Sequence, residues 1–258
     1  MLRVRSVRAF ADNYIWLIHG PSRPEYVAVV DPGEAAPVLD ELARSGSKLG
    51  AILLTHHHPD HIGGVPELLR TGSVPVIGPD DVRIPDRTVT ARDGDAIELP
   101  ELGLAFKTLH IPGHTLSHIA FWGHGSLFCG DTLFSAGCGR TFEGTAQQMN
   151  TSLERLGGLP PETRIYCGHE YTAANLRFAR AVEPDNADGI AYQQQVAQMR
   201  AADQPTLPAE LALELKVNPF LRYSNPTVRA AAERHAGGSL ADSSQVFGAL
   251  RAWKDNFR

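Results

Sequence analysis

The sequence predicts an α+β protein, with a β-rich domain over residues 1–169 and a small all-helical domain over 170–258. Three observations lead there. The first two-thirds of the chain alternates short apolar, β-branched runs with turn residues. Few helical periods interrupt those runs, which points to stacked sheets with helices outside and away from one doubly wound parallel sheet. After about Glu170 the β-branched runs stop and the apolar period becomes helical.

The strand-like stretches are Leu2 to Phe10, Tyr14 to His19, Tyr26 to Asp31, Gly50 to Thr55, Val74 to Ile77, Leu104 to Ile111, His118 to Trp122, Ser126 to Cys129 and Arg164 to Cys167. Between them, Ala36 to Ser45 sets Val38, Leu39, Leu42 and Ala43 on one helical face. A second helix begins near Gly64 and carries Val65, Leu68 and Leu69. A third, Thr145 to Leu156, opens on a threonine cap and turns Met149, Leu153 and Leu156 inward. In the last third the helical segments are Ala173 to Val182, Ile190 to Ala201, Pro208 to Leu215, Thr227 to Arg234 and Asp242 to Trp253. Prolines 205, 208, 219 and 226 punctuate them.

Bulk properties exclude several classes. The chain has 258 residues, 43% of them hydrophobic and 21% charged, which suits an ordinary globular core. A formal net charge of -5 without a basic block argues against a nucleic-acid partner. No window approaches the roughly 18 unbroken apolar residues of a membrane helix, and the start of the chain shows no apolar secretory core. Three cysteines without close pairing make no disulfide framework, so the cytoplasm is the expected compartment. A monomer is the expected state. Cys129, Cys138 and Cys167, small residues beside glycines, are expected to be structural.

Eleven histidines is rich for this length, and they cluster. The run Thr55-His56-His57-His58-Pro59-Asp60-His61 follows directly on an apolar strand, where a rigid scaffold hands over to a loop that can aim side chains inward. His56 and His58, two apart, point the same way in an extended segment. Asp60 continues the alternation, and His61 swings to an adjacent position as a helix begins. His57 faces away. Imidazole and carboxylate donors this close suit two divalent ions better than one. Their chemistry suits zinc, iron or manganese, and zinc is the first expectation. Gly63-Gly64 then lets backbone pass close to the site.

Three further segments share one grammar, a strand, then glycine, then histidine or aspartate: Pro112-Gly113-His114-Thr115, Cys129-Gly130-Asp131-Thr132 and Cys167-Gly168-His169-Glu170. They add His114, Asp131 and His169 as candidate ligands. His19, His110, His118, His124 and His235 are assigned to structure or surface, with His118 the best placed to orient a ligand.

The motif Thr55, His56, His58, Asp60 and His61 resembles the THxHxDH signature of the metallo-β-lactamase superfamily. Within it the chain is similar to the hydroxyacylglutathione hydrolase (glyoxalase II) family. The likeness extends to Gly137-Cys138-Gly139-Arg140, Phe142-Glu143-Gly144-Thr145, Gly168-His169-Glu170-Tyr171-Thr172 and Asn218-Pro219-Phe220-Leu221-Arg222. The resemblance implies an αββα sandwich followed by the helical domain, and two metals. His56, His58 and His114 would hold one ion and Asp60, His61 and His169 the other, with Asp131 bridging. It also settles His114 over His110. It implies hydrolysis of S-D-lactoylglutathione to D-lactate and glutathione, with Asp60 steadying the attacking water. Arg140, Tyr171, Arg251, Lys254 and, less directly, Asn175 would bind the glutathione portion, whose carboxylates the cations match.

The sequence departs from the family at three positions. Phe142 stands where many members have tyrosine, Arg140 where they have lysine, and Ser117 where glycine is common. Two other readings compete. A persulfide dioxygenase would share the motif but lack the helical domain, and a metal- or glutathione-binding module would bind without turnover.

Overall fold

A computed structural model describes residues 2–257. The chain divides into two compact units, one running up to His110 together with Ser117–Gly130, the other combining Ile111–Leu116 with the chain from Asp131 onward.

The first unit contains two sheets. The larger is built from β1 (Arg3–Ala9), β2 (Asn13–His19), β3 (Tyr26–Val30), β4 (Lys48–Leu53), β5 (Val76–Gly78) and β6 (Val89–Thr90), in that order. β1 to β3 are antiparallel, and β3 to β6 parallel. The parallel half needs crossovers, and α1 (Ala36–Ser45) supplies the first of them. It opens with a proline in its first turn and stops at Gly46, whose left-handed φ of 66° lets its N–H reach Ala43 and Leu42 carbonyls. Val38 and Leu42 of α1 join Val65 and Leu68 in a core with Ile15, Leu17, Val29, Ile52 and Leu54 from the sheet. Every residue of β2 is buried, so the sheet is covered on both faces.

Two short helices, α2 (Pro59–Ile62) and α3 (Val65–Leu68), follow β4. The second sheet of this unit is an antiparallel meander of β7 (Ala96–Leu99), β8 (Leu104–His110), β9 (Ile119–Gly123) and β10 (Ser126–Gly130). β9 and β10 are joined by His124 and Gly125, both at positive φ (52° and 69°), the twist a two-residue hairpin requires. Strand β7, whose Ala-Ile-Glu-Leu alternation follows a charged turn, was absent from the sequence expectation.

The second unit begins its own elements with a small ribbon, β11 (Leu133–Phe134) against β12 (Gly137–Cys138). Helix α4 (Ala146–Gly157) starts on a full capping box, Thr145 accepting from the Gln148 amide while Gln148 accepts from the Thr145 amide. Strand β13 (Arg164–Cys167) precedes α5 (Thr172–Val182) and α6 (Ala187–Ala201). α6 starts three residues earlier than its apolar period suggests, because the Asn186 side chain caps it through the Gly189 amide. The segment read as a helix from Pro208 is different. Leu207–Pro208 is a cis peptide, Ala209–Glu210 forms β14 against β13, and α7 runs Leu211–Val217. α8 (Pro226–Ala236) and α9 (Ser243–Asp255) complete the unit, capped by Asn225 and Asp242. Phe178, Phe220 and Phe247 pack ring to ring, at 5.9 Å and 5.7 Å between successive centroids, and tie α5 to α9.

Candidate metal centre

In the first unit the strand-end run folds as a tight cluster. His56 Nε2 and His58 Nδ1 lie 3.0 Å apart. Pro59 starts α2, which turns His61 so that its Nε2 lies 3.4 Å from Asp60 Oδ2. His56 and His61 are buried, while the Asp60 carboxylate is 40% exposed. His57, by contrast, turns toward Asp81, with Nδ1 at 3.5 Å from its carboxylate.

Partners fix these rings. Asp31, at the end of β3, accepts from the Thr55 amide at 2.8 Å and from the Thr55 hydroxyl at 2.7 Å, and its Oδ2 faces His61 Nδ1 at 3.1 Å. A carboxylate on Nδ1 holds the proton there and leaves the Nε2 lone pair for a ligand. Asn13 donates to Asp60 Oδ2 at 3.0 Å. His118 lies flat against His56, ring centroids 4.6 Å apart and planes 17° off parallel. Neither Asp31 nor Asn13 was named from the sequence. Asp31-Pro32-Gly33 follows the strand-then-aspartate grammar and was there to be found, whereas Asn13 carries no comparable signal. At Gly33 a side-chain carbon would collide with the Asp60 carbonyl, so the close approach demands glycine.

In the second unit His114, Asp131 and His169 meet although they come from three separate segments. Asp131 Oδ2 lies 3.4 Å from His114 Nε2 and 3.3 Å from His169 Nε2. All three residues are buried. His114 Nδ1 donates to the Arg140 carbonyl at 2.8 Å, the same orienting pattern as at His61. His169 stacks on Tyr171, 4.7 Å between centroids and nearly parallel. Gly139 passes so close that a side-chain carbon would collide with the Asp131 carbonyl.

The donor spacings test whether these residues suit a metal. Two ligand atoms each about 2.0–2.1 Å from a tetrahedral ion stand roughly 3.3 Å apart. The four donor pairs fall at 3.0, 3.4, 3.4 and 3.3 Å. With a second ring nitrogen fixed at His61 and His114, the residues fit divalent ions.

Beside this second cluster is a cavity of about 420 Å³, lined by His114, Asp131, Arg140, Phe142, Tyr171 and Lys254 among others. Arg140 is exposed, its Nε 3.4 Å from Asp255. Arg251 is buried and already engaged. It donates to the Cys138 carbonyl at 3.0 Å and pairs with Asp255 at 2.9 Å. Burial, reinforced by the neighbouring Arg251 charge, lowers the Lys254 amine to about 8. Asn175 also lines the cavity but spends its amide on the Ser135 carbonyl at 2.9 Å. Phe142 is exposed and tilts against His114, 5.2 Å between centroids. The three cysteines are buried free thiols.

The remaining histidines sit elsewhere. His235 stacks on Trp253 at 4.4 Å, and His124 accepts from the Ala105 amide at 3.3 Å in its turn.

Residues 10–169 match the Metallo-beta-lactamase superfamily, and residues 170–257 match Hydroxyacylglutathione hydrolase C-terminus. Among curated proteins, the hydroxyacylglutathione hydrolase of Cupriavidus taiwanensis is 54% identical, with both chains covered in full. The chain belongs to the hydroxyacylglutathione hydrolase family. Members from Pseudomonas fluorescens and Nitrosomonas eutropha are 52% and 49% identical, again over the full length of each chain. Among solved structures, ETHE1 from Myxococcus xanthus aligns over 100% of this chain and 91% of its own, with a TM-score of 0.65 at 24% identity. TTHA1623 in a di-iron-bound form aligns over 83% and 98%, with a TM-score of 0.58 at 25% identity. These likenesses establish the α+β metallo-β-lactamase fold with a helical C-terminal part, as the resemblance implied. Among the described residues no helix is long and apolar enough to cross a membrane.

Proposed function

We propose that this member of the hydroxyacylglutathione hydrolase family cleaves S-(2-hydroxyacyl)glutathione thioesters, S-D-lactoylglutathione foremost, to the 2-hydroxy acid and glutathione. One observation carries the reading. A single Asp131 oxygen faces two buried histidine nitrogens at 3.4 and 3.3 Å beside a cavity edged by Arg140 and Lys254. Metal donors and cations for a substrate's carboxylates thus share one place. Full-length relatives named hydroxyacylglutathione hydrolase support it.

The proposed ligands are His56, His58 and His114 for one divalent ion and Asp60, His61 and His169 for the other, with Asp131 serving both. All-nitrogen-and-oxygen ligation accommodates zinc, iron or manganese, and zinc is the ion proposed first. Ions bound there would supply Lewis acidity, enough to bring the pKa of water from ~15.7 to roughly 7 and to polarise a carbonyl.

The chain's own residues do the rest. Asp60, pinned by Asn13, is placed to accept a hydrogen from the attacking water and set its direction. Lys254 and Arg140 hold glutathione carboxylates, and Tyr171 and Asn175 wall the cavity. Arg251 contributes charge from beneath, since its donors are already partly committed. The departing thiol, with an ordinary pKa near 8.5, needs no proton from the protein. In this division of labour residues 1–169 form the catalytic domain and contribute Arg140 to the substrate site, and residues 170–258 supply the other substrate-binding side chains. The protein works as a monomer in the cytoplasm.

The test is thiol release from S-D-lactoylglutathione by purified protein, with metal quantified on the same sample. Release with two ions per chain is expected. Two ions and no thiol would overturn the substrate, and oxygen uptake with glutathione persulfide would replace the reaction class.

A further inference from the structure

The ribbon β11–β12 has only two residue pairs, Leu133 with Cys138 and Phe134 with Gly137, too few to be stable alone. It nevertheless occupies a critical stretch of chain. Asp131 lies just before it. Just after it come Gly139, whose amide donates to the Thr132 carbonyl, and Arg140, whose carbonyl accepts from His114. What secures the ribbon is a set of side chains from the helices.

Asn218, at the end of α7, donates one amide nitrogen to the Phe134 carbonyl at 3.1 Å and the Gly137 carbonyl at 2.9 Å, bridging both strands. Glu214 of α7 takes the turn between them, accepting from the Ala136 amide at 2.7 Å and the Ser135 hydroxyl at 2.6 Å. Asn175 of α5 donates to the Ser135 carbonyl, and Arg251 of α9 to the Cys138 carbonyl. Tyr192 of α6 closes on Ser135 Oγ at 2.9 Å. Glu214 and Asn218 are wholly buried, in a core with Ala136, Leu176, Val196 and Val217.

A carboxylate is a poor stabiliser of such a core. Burial pushes Glu214 up to about 7 despite its donors, and apolar residues of similar volume commonly serve stability as well or better. What an apolar residue lacks is the ability to dictate where the Ala136 amide and the Ser135 hydroxyl sit. Cost in stability with gain in geometry is the mark of a residue kept for placement.

We propose that Glu214 and Asn218 are positioning residues for the metal centre. They fix the ribbon, and through it the Asp131 carboxylate and the Arg140 carbonyl that orients His114. The inference rests on the metal-binding reading above. It assigns the helical part of the chain a second task, setting metal affinity as well as holding substrate.

Zinc affinity, measured by chelator competition, and the melting temperature of the metal-free protein are compared in the full chain and five variants. Glu214→Ala and Asn218→Ala should weaken zinc binding about tenfold or more, the size of effect that orienting partners of metal ligands exert. Glu214→Gln, which keeps an acceptor for the Ala136 amide, should recover most of the loss. Asn225→Ala, which uncaps α8, should lower the melting temperature and leave zinc affinity unchanged. If Glu214→Ala does not fold, Ser135→Ala, which removes one hydroxyl from the same network, should still weaken zinc binding measurably. Wild-type zinc affinity in the folded Glu214 or Ser135 variants, with only the melting temperature lowered, would overturn the proposal. Failure of the unsubstituted chain to bind zinc would instead strike the metal reading itself.

Discussion

In the first unit the donors His56, His58, Asp60 and His61 leave a single strand end within six residues, and two partners, Asp31 and Asn13, orient them. In the second, His114, Asp131 and His169 come from three loops, and the backbone between them is itself held by side chains from four helices. The contrast shows two ways of building a rigid ligand set. A contiguous motif inherits its rigidity from the strand it follows. A dispersed one needs its connecting chain secured at each turn. The second unit also lines the cavity proposed for the substrate, so on that reading it serves two purposes where the first serves one.

The comparison is broken most directly at Asp131. Asp131→Ala should remove bound metal and lower activity about 10³-fold, the equivalent of several kcal/mol of Lewis-acid assistance. Metal content and turnover check it. Full metal content with normal turnover would show the second unit to be dispensable to the centre.

Next comes the first unit's main support. Asp31→Ala strips three hydrogen bonds from Thr55 and His61, and metal affinity should fall about 10- to 100-fold. A loss of less than tenfold would show that the strand end orients His61 without Asp31.

Lys254→Ala separates the second unit's two purposes. The KM for the glutathione thioester should rise about tenfold, with kcat and metal content little changed, since a charge-assisted contact to the ground state is lost. The pH dependence follows from the lowered pKa of the amine. Burial and the Arg251 charge favour the neutral form, so the ammonium is present below about pH 8 and lost above it. KM should therefore climb above pH 8 in the unsubstituted enzyme and stay flat with Lys254→Arg, whose guanidinium remains charged. Identical profiles would take Lys254 out of substrate binding.

The smallest effect is expected at Asn225→Ala, where loss of a helix cap should cost about 1 kcal/mol of stability. Thermal unfolding measures it.

The first candidate set was legible because its residues are adjacent and follow an apolar strand, two signals that reinforce each other. The second set was visible through a repeated pattern of strand, glycine and donor. Asp31 follows β3 in the same way, but no glycine precedes it, and that departure from the pattern disguised it. What stayed hidden has physical causes. Strands of two residues, β6, β11, β12 and β14, are too short to show a period. Glu214 looks like the solvent face of an amphipathic helix, because one-dimensional patterning cannot separate a buried polar group with partners from an exposed one, and Asn218 stands in a shared motif whose spacing shows no role for its side chain. The segment from Pro208 has helical composition, yet its first residues pair with Arg164 and Ile165, a tertiary contact that overrides local preference. The fold class and its change of texture near residue 170 were legible throughout, since both rest on long-range periodicity.

Gly33 and Gly139 hold one lesson in common. Each presses against the carbonyl of a carboxylate donor, Asp60 in one case and Asp131 in the other. A single methyl at either place would shove that aspartate out of line while every histidine and aspartate survived in the text of the gene. Surveys that count donors alone would score such a homologue as active. Vetting distant members of this lineage for lost catalysis therefore means reading two residues that have no functional group at all.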